Sequence, residues 1–161
     1  MKTIIVYYSL DGNTKSAAER IAEELGCKAL RIEPEKALPA KGFLKILAGG
    51  KQATFGEKPA IKPLEEDLTK YDAVILGTPV WAGKAAAPVW TFVNSCDGCD
   101  KIRALFTLSG SGDNEKCIKQ LEKVIPEIKL SVSLKDKKVD KDSENEDKLA
   151  AFIEKLKAAG M

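Results

Sequence analysis

The sequence predicts an α/β fold: a doubly wound sheet of five parallel strands in the order 2-1-3-4-5, with helices on both faces. Three observations lead there. The two strongest strand-length runs, TIIVYY (3–8) and AVILGT (73–78), are continuously apolar, as strands covered on both faces are. Helical patterns stand between the strand candidates, and that alternation builds a parallel sheet through right-handed crossovers. Strands 1, 3 and 4 are each followed at once by a segment of glycines and hydroxyls, at the carboxyl ends where such sheets bind ligands.

Each element has its own justification. After TIIVYY, TKSAAERIAEELGC puts Ala18, Ile21, Ala22 and Leu25 on one helical stripe, and Gly26 is placed to end it. KALRIE (28–33) is a weaker strand 2. Residues 34–72 carry the crossover to strand 3, with the amphipathic piece GFLKILAGG, a loop punctuated by Pro59 and Pro63, and LEEDLTKYD. Lys41, Lys45 and Lys51 read as a solvated face, with an anionic ligand as the other use. AVILGT is strand 3, and KAAAPVWTFVN is a helix in which Pro88 is tolerable only in the first turn. RALFTLS (103–109) is strand 4, EKCIKQLEKVI a helix capped by Asp113 or Asn114, and IKLSVSL (128–134) strand 5. The last helix, SENEDKLAAFIEKLKAAG, opens with Ser143 and Glu146 at capping-box spacing and closes at Gly160. The mixed-charge run 135–148 reads as solvated. No repeat or linker divides the chain, so 1–161 is expected to be one domain.

Composition narrows the chemistry. The 161 residues hold 26 Lys and Arg against 24 Asp and Glu, so no charge excess points to nucleic acid or an anionic membrane. The N-terminal apolar run is too short for a signal sequence or a membrane span, and a cytoplasmic protein is expected. The 4 cysteines are irregularly placed, unlike the framework of a small secreted scaffold. There are no histidines, which removes Ser-His-Asp and Cys-His sites, His-ligated metals and any His proton shuttle.

The three segments after strands 1, 3 and 4 are SLDGNT, TPVWAGK and SGSGDN. None contains a catalytic acid–base pair. In the first, Gly12 permits a tight turn, Asn13 and Thr14 bring amides to the positive end of a helix dipole, and Ser9 and Thr14 offer hydroxyls, which suits a phosphate monoester. An ordinary strand–turn–helix connection has the same grammar, and the segment is neither a Walker loop nor G-x-G-x-x-G. In the second, Trp81 stands at the crevice mouth, where a flat ring could stack, whereas Trp90 reads as a core aromatic.

SLDGNT, GTPVWAGKAAAPVWTFV and LFTLSGSG, in that order after those strands, resemble the flavodoxin-like proteins over nearly the whole chain. That resemblance implies a three-layer sandwich that binds FMN non-covalently. It implies that Ser9, Leu10, Gly12, Asn13 and Thr14 hold the phosphate. Thr78, Pro79, Val80 and Trp81 would line one flavin face, with Ala82 and Gly83 near the redox-active edge. Ser109, Gly110, Ser111 and Gly112 would form the opposite loop. The function implied is FMN-dependent electron transfer between redox partner proteins or to small acceptors. An NAD(P)H-dependent quinone oxidoreductase is the alternative, and a module that has lost its cofactor is a third reading. Three features depart from the family: Asp11 stands where a hydroxyl residue is usual, the third loop has no aromatic before Cys117, and the charge is balanced. Cys96-Asp97-Gly98-Cys99 reads as a turn into strand 4, at the far end of the sheet from the crevice, in preference to a dithiol or metal site.

Overall fold

The computed structural model of the chain describes residues 1–36, 58–137 and 141–161. GFLKILAGG and Lys41, Lys45 and Lys51 lie outside the described residues.

The two continuous apolar runs become the buried centre of a sheet. β1 (Thr3–Tyr7) is buried along its whole length, and β3 (Ala73–Trp81) at every position but the last. β1 pairs in parallel with β2 (Lys28–Arg31) on one side and β3 on the other, so that Ile5 faces Ala29 and Ile75. β3 pairs in parallel with β5 (Ile102–Ser109), which pairs with β6 (Leu130–Lys135). The resulting order, β2-β1-β3-β5-β6, reproduces the expected order of the five parallel strands.

The sheet has one strand more than expected. β4 (Lys84–Ala85) folds back antiparallel on the end of β3, pairing Trp81 with Lys84 and Val80 with Ala85. TPVW is therefore strand, not loop, and β3 runs three residues past the expected end. The cause lies in the turn. Ala82 (φ 51) and Gly83 (φ 72) are both left-handed, the geometry of a two-residue hairpin whose twist matches that of the strands.

Alternation along the strands sends side chains to two layers. Ile4, Val6, Val74 and Leu76 face α2 (Ala87–Ser95) and α3 (Glu115–Val124), in a core with Val89, Phe92, Cys117 and Leu121. Ile5, Ile75, Ala104 and Phe106 face α1 (Asn13–Leu25) and α4 (Ser143–Ala158), against Ala17, Ile21, Phe152 and Leu156. Each of these large apolar side chains contributes about 1.5–3 kcal/mol by burial. Phe106 lies over Gly77 so closely that a Cβ on Gly77 would stand 2.1 Å from its Cζ.

The helix ends follow the sequence with one correction. Pro88 sits in the first turn of α2, and Gly26, left-handed at φ 62, closes α1. Asn114 is the N-cap residue of α3. At α4 the cap is Asp142, whose carboxylate accepts from the Asn145 N–H at 3.1 Å; Ser143 is already inside the helix. Among the described residues, no helix is long and apolar enough to cross a membrane.

Cys96 and Cys99 also require a correction. They do occupy a turn between α2 and β5, but they are joined as a disulfide, with Cα atoms 5.8 Å apart. Gly98, left-handed at φ 90, lets the chain reverse sharply enough to bring the two sulfurs together.

Candidate functional site

β1, β3 and β5 are adjacent and parallel, so the segments after Tyr7, within and after the end of β3, and after Ser109 meet at one edge of the sheet. The sequence-derived candidates are thus brought together, though they do not all present their side chains in the same way.

The first segment is a tight Ser-x-x-Gly turn. Ser9 is buried, and its Oγ accepts from the Gly12 N–H at 3.1 Å. Gly12 is left-handed at φ 90, and open space surrounds the position a Cβ would take. It opens α1 with no side-chain cap and no acidic residue in the first turn. Such a helix start, with glycine at the N-cap and no acid in its first turn, suits an anion. Thr14 is buried in that turn, and Leu10 packs on the core. Asn13 is aimed elsewhere: its Nδ2 donates to the Asp136 carbonyl (3.2 Å) and to Asp136 Oδ1 (3.1 Å). Asp11 is exposed.

Within the second segment the candidates divide. Thr78 is fully buried, and its Oγ1 accepts from the Ala86 N–H at 3.2 Å, pinning the return strand to β3. Pro79 and Val80 are also buried, and the Pro79 carbonyl shares the Ala86 N–H at 3.2 Å. Trp81 is half-buried and backed edge-on by Tyr8, with ring centroids 6.1 Å apart and planes at 89°. Ala82 is exposed at the hairpin tip and is the left-handed non-glycine among the described residues.

The third segment repeats the first in outline. Ser109 Oγ accepts from the Gly112 N–H at 3.1 Å, and Ser111 Oγ lies 3.2 Å from it. Gly112 is left-handed at φ 75, and Gly110 and Ser111 are exposed. Here, however, carboxylates attend the helix start. Asp113 Oδ1 accepts from the Glu115 N–H at 3.3 Å, and Glu115 itself stands in the first turn of α3.

Several residues of this edge escaped sequence reasoning because distant chain segments deliver them. Tyr8 was read only as strand, and burial pushes its phenol up, Asp11 adding to this and Arg31 opposing it. Arg31, at the end of β2, donates from Nη2 to the Ser9 carbonyl at 2.7 Å. Lys116 lays its stem beside Gly83, where a Cβ would meet its Cδ at 3.4 Å. Asn114 is buried and bridges the ends of β5 and β6 through Nδ2 to the Thr107 (3.1 Å) and Leu134 (3.4 Å) carbonyls. The only sequence signal for this last residue was its polarity at a helix cap.

A family model described as Flavodoxin matches residues 2–156. The chain belongs to the flavodoxin family. Solved structures agree in fold. A protein of Bacteroides eggerthii DSM 20697 assigned as a flavoprotein is 23% identical with TM-score 0.69, covering 94% of this chain and 97% of that one. A flavoprotein of Lactobacillus acidophilus NCFM, in complex with FMN, is 24% identical with TM-score 0.63, covering 91% and 97%. Oxidised flavodoxin 2 of Bacillus cereus is 20% identical with TM-score 0.56, covering 95% of each chain. The cofactor of the flavodoxin family is FMN, and this flavodoxin's residues fit it. The start of α1, with a glycine N-cap and no acid in its first turn, suits the phosphate, and Trp81 backed by Tyr8 offers a flat aromatic surface at the same edge.

Proposed function

We propose that this flavodoxin carries electrons between redox partner proteins or to small acceptors, with 1–161 acting as one cytoplasmic FMN-binding domain. The observation that carries the reading is the anion-ready start of α1 at the end of β1, in a site whose candidate residues include no acid, base or thiol. Such a site can hold a cofactor and has little with which to process a separate substrate.

The chain's own residues have distinct tasks in this reading. First-turn amides of α1, with the Ser9 and Thr14 hydroxyls, bind the phosphate of FMN. Leu10 and Gly12 shape that turn, and Asn13 acts from its backbone while its side chain ties the turn to Asp136. Trp81 and Val80 cover one flavin face and keep water from it. Thr78 and Pro79 hold the hairpin that presents Trp81, Ala82 and Gly83. Ser109, Gly110, Ser111 and Gly112 supply polar contacts from the other side. FMN, when bound, supplies the capacity to accept and release electrons.

The test is to load the protein with FMN and mix it anaerobically with NADPH or NADH while recording flavin absorbance. A carrier is not bleached directly and needs a reductase. Rapid direct bleaching would overturn the carrier reading in favour of an NAD(P)H-dependent oxidoreductase, and failure to bind FMN would reduce the chain to a cofactor-free module.

A further inference from the structure

The Cys96–Cys99 disulfide stands apart from everything described above. Cys99 precedes the first residue of β5, whereas the candidate FMN site follows its last, so the pair occupies the opposite end of the sheet. It closes a ring of sequence separation 3, and so short a ring restricts the unfolded chain least, which makes it a poor structural staple. Both residues are half-buried. The two free cysteines differ from the pair: Cys117 is fully buried, and Cys27 is half-buried with burial pushing its thiol up.

A cavity of about 410 Å³ opens beside the pair, with Cys96 in its wall and Cys99 outside it. Leu68 and Phe92 supply apolar wall. Of its charged residues, Lys62 is paired with Glu33 at 2.8 Å, Glu66 with Lys28 at 2.5 Å and Asp67 with Lys70 at 3.6 Å, while the exposed Asp97 adjoins Cys96. The space is therefore the size of a small molecule, is walled by one cysteine of the pair, and sets a carboxylate beside it that disfavours an anion.

We propose that Cys96–Cys99 is a second redox site, a thiol–disulfide exchange centre whose reductant is a small neutral or cationic thiol entering this cavity. A dithiol reacts as follows. Its first thiolate attacks Cys96 Sγ, forming a mixed disulfide and breaking the Cys96–Cys99 bond. Cys99 leaves as a thiolate and takes a proton from solvent. The Phe92 carbonyl oxygen, 3.7 Å from Cys99 Sγ, accepts a hydrogen bond from the new thiol. The reductant's second thiolate then attacks its own sulfur in the mixed disulfide, and Cys96 leaves and is protonated. Two electrons pass to the protein, and the two protons lost by the dithiol balance the two gained. Two monothiols give the same balance. The proposal does not depend on FMN.

The test uses the full oxidised chain, native and buffered, with 2-mercaptoethylamine (cationic), 2-mercaptoethanol (neutral) and mercaptoacetate (anionic). Each reduction rate is read by alkylation and mass, then divided by its rate with the oxidised peptide Cys-Asn-Gly-Cys, which lacks the carboxylate. The first two thiols should exceed the anionic one by about three- to tenfold, as a carboxylate beside a reacting anion would cause, and added salt should shrink the gap. The exposed Asp97→Asn should close most of it. Cys99→Ser should accumulate a mixed disulfide at Cys96 with a small aromatic disulfide, and Cys96→Ser should accumulate far less at Cys99. Equal normalised rates, equal trapping at both sulfurs, or reduction only after unfolding would each overturn the proposal. A bound flavin spectrum that is unmoved by reduction of the pair is expected, and its loss would overturn the independence of the two sites.

Discussion

The turns after β1 and β5 are built alike and differ in the charges at the helices they open. Ser9-Leu10-Asp11-Gly12 and Ser109-Gly110-Ser111-Gly112 each place a buried serine at a strand end, accept the N–H of a left-handed glycine three residues on, and lead into a helix. They differ in where the carboxylates go. In the first turn Asp11 is exposed, and α1 begins without an acidic residue or side-chain cap. In the third, Asp113 takes an amide of α3 and Glu115 occupies its first turn, so the positive end of that helix is already neutralised. In the proposed reading, one backbone motif thus serves as an anion site after β1 and as a neutral loop after β5, according to the placement of two carboxylates.

The helices behind the turns differ too. Eight residues after each serine stands a fully buried residue, Ala17 on α1 and Cys117 on α3. Burial pushes the Cys117 thiol from 9.0 up to about 12. The unfolded chain then loses this proton before the folded one, so the thiol's contribution is intact below pH 9 and is lost as pH rises toward about 12. The expected slope is about 1.4 kcal/mol per pH unit in that window. Urea melts across alkaline pH should show it, and Cys117→Ala should flatten it whatever the variant does to stability at neutral pH. An unchanged slope would mean that the thiol side of the comparison is void.

Affinity for FMN against riboflavin, which lacks the phosphate, separates the turns next. Ser9→Ala strands the Gly12 N–H, at a cost of about 1–3 kcal/mol or roughly 5- to 150-fold. That loss should fall on FMN and spare riboflavin. Ser109→Ala should weaken both ligands alike, since the proposed reading sets its loop against the ring system rather than the phosphate. The reverse pattern in fluorescence titrations would exchange the roles of the two turns.

The smallest effect is expected at Asp11. Asp11 is exposed, and in the proposed reading a hydroxyl residue there would remove a charge that repels the phosphate, so Asp11→Thr should leave FMN affinity unchanged or tighten it by a few-fold. A large loss in the same titration would assign the carboxylate a structural task in the turn.

What the sequence made legible was what local chemistry decides. Continuous apolar runs fixed β1 and β3, Gly26 ended α1, and Pro88 marked the first turn of α2. The hairpin was hidden because Lys84–Ala85 has no strand signature of its own; it pairs only because Ala82 accepts a left-handed backbone, which costs of order 1 kcal/mol. Thr78, expected as a ligand contact, also pins that hairpin from within. The cap of α4 shifted by one residue because Asp142 competes directly with Ser143 for the same N–H groups. Arg31, Lys116 and Asp136 reach the site from β2, α3 and the end of β6, separations that periodicity does not encode. Cys96 and Cys99 are a local case: their spacing permitted a bond, and the left-handed turn at Gly98 decided it.

Gly77 and Phe106 share one parcel of space across β3 and β5, and a Cβ at 77 would overlap the ring at 2.1 Å. Neither position is therefore free to vary by itself. A library randomising both together should return only pairs whose combined volume is conserved, a small residue on one strand answering a large one on the other. Recombining this gene with a distant relative's between residues 77 and 106 would break that pairing wherever the relative has divided the space differently.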